Sequence, residues 1–267
     1  MAFIIDDVEL TKKWLNSPEL ERLDDARKLG SKVCPYFEAS ALSGENGKHF
    51  PLVNEPDEYI ISGIVDEIRL TLSEITEKDY QKISDLVRQG VSNDELLVEF
   101  AKISGNKFGR CIIDKDFLTD ARKLPSLGEM FNCTNPLEEI VSAKQRIVEK
   151  VGNDYIKIHN AIASTLLCPI LIRKTLLEPN KSIEQIVYEN APLKHSLRVV
   201  KNQVIIGGKV LPKNSVVLFN VALCAKTTQD TRFVFGQGNN VRHCPFSLFM
   251  FPFLTTLRQN EASRKYL

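Results

Sequence analysis

The alternation of hydrophobic and polar residues predicts a chain that is mainly helical, with a small amount of β structure near its C-terminal end. In several segments apolar residues recur about every 3.6 positions, which is the period of a helix that buries one face. Two of the helices carry a start signal, with Asn93 as an N-cap and Pro136 in a first turn. The predicted helices are Val8–Asn16, Pro18–Leu29, Pro56–Leu72, Glu77–Arg88, Asn93–Cys111, Pro136–Val151 and Asp154–Leu177.

Two segments lack a clear helical period. Cys34–Pro56 is rich in proline and glycine, which predicts a long loop. The pattern of Asp116–Phe131 is ambiguous. The sequence shows no internal repeat and no low-complexity tract. A chain of this length can fold as one domain or as one large and one small lobe, and we expect a single domain over residues 1–267.

The segment Val234–Phe246 carries the clearest chemical signal. A strand-like apolar run ends in two glycines, and a basic loop then brings Cys244 to the start of an apolar helix. Unpaired N–H groups at a helix start, together with the adjacent Arg242, favour the thiolate over the thiol. A thiolate beside glycines that let the backbone approach a flat ligand suits the axial ligation of haem iron. The alternatives are a structural cysteine after a glycine turn, or His243 as the ligand or as a hydrogen-bond donor to the loop.

The apolar residues of Asp154–Leu177 are nearly continuous in the middle, which predicts a buried central helix. Ser164 and Thr165 are hydroxyl residues within it, and Pro169 removes the hydrogen bond to the Thr165 carbonyl and should kink the helix. The kink and the hydroxyls would form a polar notch in an apolar wall. The alternative is that both hydroxyls bond back to their own helix.

Composition narrows the function class further. The chain is 43% hydrophobic over 267 residues, which allows a substantial core, and its net charge of +1 indicates neither a nucleic acid nor a membrane partner. The six cysteines are scattered without a Cys-x-x-Cys pair, so a structural zinc site is not expected. The N-terminus does not resemble a secretion signal, and the apolar runs are too short to span a bilayer. These features predict a cytoplasmic protein with reduced thiols.

Several segments, in the right order, resemble the cytochrome P450 superfamily. The Phe-Gly-x-Gly and Arg-x-Cys-Pro elements that end at Pro245 resemble its cysteine-ligand loop. Upstream segments resemble its glycine hairpin (Val204–Leu218), its short helix (Ile183–Tyr188) and the strand after it (Pro192–Arg198). Asp6–Pro18 resembles a segment near the family's N-terminal end. The resemblance implies a mainly α fold with a small β region, a reduced cytochrome P450-like domain that lacks the usual meander and C-terminal strands.

The resemblance also implies a cofactor and a set of contacts. Cys244 would be the axial thiolate of haem b, and Ser164 and Thr165 would supply the hydroxyl that helps to deliver protons. The remaining cofactor contacts are Phe235, Gly238, Arg242, Arg198 and His195.

The chain also departs from the family pattern at individual residues, and its cysteine loop has two residues more than usual between Phe235 and Cys244. The family's Glu-x-x-Arg motif falls on Gln185–Tyr188. The histidine and the arginine that follow the family's proline-rich turn fall on Tyr59 and Gly63. No aspartate or glutamate lies between Tyr155 and Leu177. We therefore expect a haem-thiolate enzyme that acts on a small, secondary-metabolite-type substrate by a non-standard oxidation or a rearrangement. A redox partner is the ordinary electron source in the family, whereas peroxide fits these losses better. The alternative is a haem-free pseudoenzyme that serves as a binding or scaffold protein.

Overall fold

The computed structural model describes residues 2–21, 66, 68–108, 114–124, 133–151, 169–191, 194–234 and 247–264. This part of the chain is mainly helical and has two small sheets, as predicted. The helices are α1 (Val8–Trp14), α2 (residues 68–74), α3 (Glu77–Arg88), α4 (Asn93–Phe108), α5 (Lys115–Lys123), α6 (Leu137–Val151), α7 (Pro169–Leu177), α8 (Ile183–Glu189), α9 (Val221–Thr228) and α10 (Ser247–Arg264). The strands are β1 (Ala2–Ile5), β2 (Leu20–Glu21), β3 (His195–Val200), β4 (Val204–Ile206), β5 (Lys209–Leu211) and β6 (Val216–Asn220). Within these ranges no helix has the length and apolar character needed to cross a membrane.

Helix starts follow local side-chain capping. Thr76 and Asp79 form a capping box at the start of α3, and this helix has the predicted bounds. The helix predicted from Asn93 also forms, but its cap is Ser92, whose hydroxyl accepts a hydrogen bond from the Glu95 N–H at 3.2 Å. Asn93 is instead the first helical residue.

The helix predicted over Pro18–Leu29 is wrong at its start. Leu20–Glu21 forms β2, which pairs antiparallel with β3 through Leu20 and Val200. This pairing joins residues far apart in the sequence, and such long-range pairing overrides a weak local helix preference. Residues 22–29 lie outside the described part of the chain, as does Cys34–Pro56.

The main sheet has the strand order β1-β6-β3-β2. β1 runs parallel to β6, and the other two pairs are antiparallel. The predicted hairpin is present as β4 and β5, joined by Gly207 and Gly208 with φ values of +57° and +77°. A turn with two positive φ angles favours glycine at both positions. A side chain at Gly207 would also meet Leu10 of α1, since an added Cβ would lie 2.9 Å from its Cδ1 atom.

Three hydrophobic cores hold these elements together. The first, which we call the helical core, combines buried residues of α2, α3, α4, α7, α8 and α10. A second core joins α4 to α5 and α6. The third, the sheet core, packs one face of the main sheet and the hairpin against α1. Helix α10 is thus fixed in the helical core, directly after the segment that contains Cys244.

Aromatic side chains anchor α10 in the helical core. The rings of Phe249 and Phe253 stack at 5.6 Å, one turn apart on the same face. Phe253 also lies 5.1 Å from the ring of Phe100 and 5.3 Å from that of Tyr80. Phe249 and Phe253, on either side of Pro252, therefore form part of the buried face of the last helix.

Candidate functional site

The two residues that flank the segment of the candidate cysteine ligand are both buried. Val234, directly before the loop, is 4% exposed and belongs to the helical core. Ser247, the first residue of α10, is 3% exposed. Residues 235–246 lie between these two anchors and outside the described residues, so Phe235, Gly238, Arg242, His243 and Cys244 keep their predicted roles as proposals.

The strand-like run predicted before the glycines begins at Val234, and its next residue, Phe235, lies outside the described part of the chain. Directly before this run, Thr231–Phe233 forms a single 3-10 turn, with the Asp230 carboxylate accepting the Arg232 N–H at 2.9 Å. Capping by Asp230 explains the turn, because a side-chain acceptor next to a free N–H competes with an extended conformation. The Phe233 ring packs against both the helical core and the sheet core. The approach to the cysteine loop is therefore held between two cores.

Arg198 is a buried cation on β3, with 7% of its surface exposed. Its Nε–H donates to the carbonyl of Leu15, the C-cap of α1, at 2.8 Å. Its NH1 group donates to the Ser196 hydroxyl at 2.8 Å and to the Leu197 carbonyl at 2.7 Å. A cation at a helix C-terminus is favoured by the helix dipole. In this structure Arg198 therefore ties α1 to the main sheet.

His195 lies on the same strand as Arg198 but on its other face, because side chains alternate along a strand and the two residues are three positions apart. Burial lowers the pKa of His195, the neighbouring Lys194 lowers it further, and Asp6 opposes them. His195 is therefore mainly neutral near pH 7 and can offer one N–H donor rather than a positive charge. A porphyrin edge lying along one face of β3 would meet one of these two side chains.

The positions of the family's Glu-x-x-Arg hold a different network. The Gln185 side-chain amide donates to a Glu189 carboxylate oxygen at 3.0 Å, and Lys181 forms an ion pair with Glu189 at 2.6 Å. Tyr188 is half-buried and packs against the helical core. The polar side-chain contacts of Gln185 and Glu189 are thus made within α8 and with the turn before it.

Arg258, which the sequence reasoning missed, forms a tie between helices. Its NH1 group on α10 donates to the Lys181 carbonyl at 2.6 Å, and its Nε–H donates to the Thr175 carbonyl of α7 at 3.3 Å. These bonds join α10 to the end of α7 and to the turn before α8. The sequence feature that could have identified Arg258 is its position directly after the buried Leu257, since a charged residue beside a buried stripe usually has a specific partner.

Of the predicted central helix, the structure describes α7, which begins at Pro169. Ser164 and Thr165 lie outside the described residues, so their roles and the predicted kink also stay predictions. Ile170 in the first turn of α7 and Leu248 in the first turn of α10 are each 43% exposed. Both apolar side chains come two positions after a candidate segment and are partly exposed.

The two cysteines that the structure describes differ from the predicted ligand. Cys224 in α9 is fully buried, and burial raises its pKa to about 11. A thiol with this pKa is protonated at neutral pH and does not ligate a metal as a thiolate. Cys133 is partly exposed and free.

We expect an alkylating reagent at about pH 8 to modify Cys133 in minutes and Cys224 only very slowly. With a pKa of about 11, roughly one Cys224 side chain in a thousand is thiolate at that pH, and burial limits reagent access further. Peptide mass spectrometry over time measures both rates in one sample. The unfolded protein is the control, because both cysteines should react at similar rates there. Equal rates in the folded protein would contradict the buried position of Cys224.

The sequence matches no protein-family model and no curated protein. The structure is similar to solved structures of cytochrome P450s. One is P450 RauA complexed with a biosynthetic intermediate of aurachin RE, at 14% identity and a TM-score of 0.62, covering 98% of this chain and 83% of that one. Another is epothilone B-bound cytochrome P450epoK, at 9% identity and a TM-score of 0.57, covering 98% and 84%. A third is P450BioI in complex with an acyl carrier protein carrying hexadec-9Z-enoic acid, at 13% identity and a TM-score of 0.56, again covering 98% and 84%. At these identities the likeness establishes a fold.

Proposed function

We propose that this chain, which has a cytochrome P450-like fold, is a haem-thiolate enzyme acting on a small organic molecule. The observation that carries the proposal is that Val234 and Ser247, which flank the segment containing Cys244, are both buried. Cys244 lies three residues before the first residue of α10. A loop anchored on both sides can hold one ligand atom in a fixed place.

Among the described residues, Arg198 suits a bound haem, because its buried guanidinium can offset the charge of a propionate. The proposed axial ligand, Cys244, lies outside the described residues, and its thiol is close in sequence to the start of α10. When bound, haem iron would supply the oxidation or rearrangement chemistry, which no side chain can provide alone. In the proposal Cys244 holds the iron, and Phe235 and Gly238 let the loop lie against the ring.

Arg198 and Arg242 are the proposed propionate contacts. Hydrogen bonds to Leu15, Ser196 and Leu197 hold the Arg198 guanidinium in place, so it is pre-organised before any anion binds. Pre-organised donors cost less entropy when they bind an anion. His195 remains a further proposed contact, for a haem edge that would lie along the other face of β3.

Ser164 and Thr165 are proposed to supply the hydroxyl that helps to deliver protons at the haem. Their hydroxyls can donate and accept a hydrogen bond but cannot supply a proton at neutral pH by themselves. No acidic side chain lies between Tyr155 and Leu177 to recharge them. We therefore propose a non-standard oxidation that uses peroxide, or a rearrangement or dehydration that needs no external oxidant.

We expect the haem-loaded protein to turn over its substrate better with peroxide than with a reductase and oxygen. Proton delivery by a positioned acid contributes about two to four orders of magnitude to a rate, so its absence should lower turnover and leave binding unchanged. The measurement compares product formed per enzyme under the two conditions, with the haem-free protein as control. Robust reductase-driven hydroxylation with tight coupling of electrons to product would overturn this part of the proposal.

Haem content tests the proposal as a whole. Expression with haem supplementation should give protein that carries about one haem per chain, measured as a Soret band against protein concentration. Protein that stays colourless would favour the second candidate, a haem-free binding or scaffold protein. That candidate is supported by α8, where Gln185 and Tyr188 stand in place of the charged pair of the family.

A further inference from the structure

Arg258 on α10 supplies a hydrogen bond that a proline denies to α7. The carbonyl of Thr175 lies in the last turn of α7, and the residue four positions further on, whose N–H would normally bond it, is Pro179. The N–H of Glu178 bonds the Lys174 carbonyl instead, at 2.9 Å. The Nε–H of Arg258 donates to the Thr175 carbonyl at 3.3 Å. The end of α7 is thus completed by a side chain from another helix.

The same guanidinium also holds the turn that leads into α8. Its NH1 group donates at 2.6 Å to the carbonyl of Lys181, the residue before the N-cap Ser182. Both acceptors are main-chain carbonyls, and a guanidinium presents its donors in a rigid, planar fork. A cation beside the C-terminus of α7 is also favoured by the helix dipole. Arg258 therefore fixes where α10 lies relative to the end of α7 and the start of α8.

Aromatic packing passes the position of α10 on to its first turn. Pro252 lies inside the helix and has no N–H, so one main-chain bond to the first turn is missing. The rings of Phe249 and Phe253 bridge this gap, because they stack at 5.6 Å from either side of the proline. Both rings are buried. A shift of α10 at Arg258 is therefore transmitted to the start of the helix.

We propose that Arg258 is a positioning residue, which sets the position of α10 and thereby the place of Cys244, three residues before that helix. The effect on α10 follows from the described contacts alone. The effect on Cys244 rests on the proposed haem-thiolate function. The two effects are therefore measured separately, the first without haem and the second with it.

Amide hydrogen exchange of the haem-free full chain measures the effect on α10. Arg258→Met keeps an apolar stem at this position but removes the donors of both hydrogen bonds. We expect exchange in the first turn of α10 and at the start of α8 to become about tenfold faster, since hydrogen bonds from a charged group are lost. Exchange in β3 and β6 should stay within about twofold, because these strands belong to a different core. Unchanged exchange in α10, or a uniform increase in all elements, would overturn the proposal.

The absorption spectrum of the reduced, haem-loaded protein with carbon monoxide measures the effect on Cys244. In Arg258→Met the ratio of thiolate-type to other haem complex should fall about tenfold. A ratio equal to that of the unaltered protein would show that Arg258 does not position the ligand. If the unaltered protein takes up no haem, the haem-thiolate proposal fails, and the exchange measurement still decides whether Arg258 positions α10.

Two further variants separate positioning from a general loss of stability. Arg258→Lys keeps the charge but not the fork, so it should show the same changes at a smaller size, and it decides the matter if Arg258→Met does not fold. Arg264→Met is the matched control, because it removes another arginine of α10, whose ion pair with Asp85 of α3 is partly exposed. Exposed ion pairs contribute little, so both readouts should match those of the unaltered protein. Equal effects of Arg258→Met and Arg264→Met would overturn the proposal.

Discussion

Replacing Cys244 with alanine should abolish thiolate ligation of haem while leaving the helical fold largely intact. The sulfur is the proposed iron ligand, and alanine offers no ligand atom. The residues of the described cores are unaltered in this variant, so we expect the flanking Val234 and Ser247 to stay buried. Absorption spectra of the haem-loaded protein report the ligand, and far-ultraviolet circular dichroism reports the helices.

The control for this prediction is His243→Ala, which alters the adjacent side chain. It should retain the thiolate-type spectrum. If Cys244→Ala leaves the spectrum unchanged and His243→Ala alters it, the histidine is the axial ligand and the assignment to Cys244 is wrong.

Replacing Phe253 with alanine should lower the free energy of unfolding by about 3–5 kcal/mol, the usual cost of removing a buried aromatic ring. The side chain is fully buried, and it contacts the rings of Tyr80, Phe100 and Phe249. Its loss opens a cavity beneath the helix that follows the cysteine loop, so haem retention should fall as well. Urea unfolding followed by circular dichroism measures the stability.

Leu177→Ala is the matched control, because it shortens an exposed apolar side chain at the end of α7. We expect its unfolding free energy to lie within about 0.5 kcal/mol of the unaltered protein. A Phe253→Ala variant as stable as this control would contradict the aromatic cluster.

Elements specified by neighbouring residues could be predicted from the sequence. The bounds of α3 follow from an amphipathic run that begins at Glu77 and is capped locally by Thr76 and Asp79. The hairpin follows from Gly207 and Gly208, because few other residues adopt two consecutive positive φ angles.

Elements specified by distant residues could not be predicted in this way. β2 exists because Leu20 pairs with Val200, and nothing near Leu20 encodes that partner. Similarly, the carbonyl partners of Arg258 lie on α7 and in the turn before α8, so only the folded chain reveals its role.

For the candidate site, the sequence predicted the segments, and the structure adds the geometry of those it describes. The arrangement of His195 and Arg198 on opposite faces of β3 follows from strand alternation once the strand is known. The hydrogen bond from Arg198 to Leu15 depends on where α1 packs, which the local pattern does not contain.

The most direct test of the haem-thiolate assignment is the absorption spectrum of the reduced, haem-loaded protein with carbon monoxide. The ligand opposite carbon monoxide sets the position of the Soret band, so the spectrum distinguishes a thiolate from a histidine ligand. We predict a band at the thiolate-type position, lost in Cys244→Ala. A band at the histidine-type position, or a protein that takes up no haem, would contradict the account.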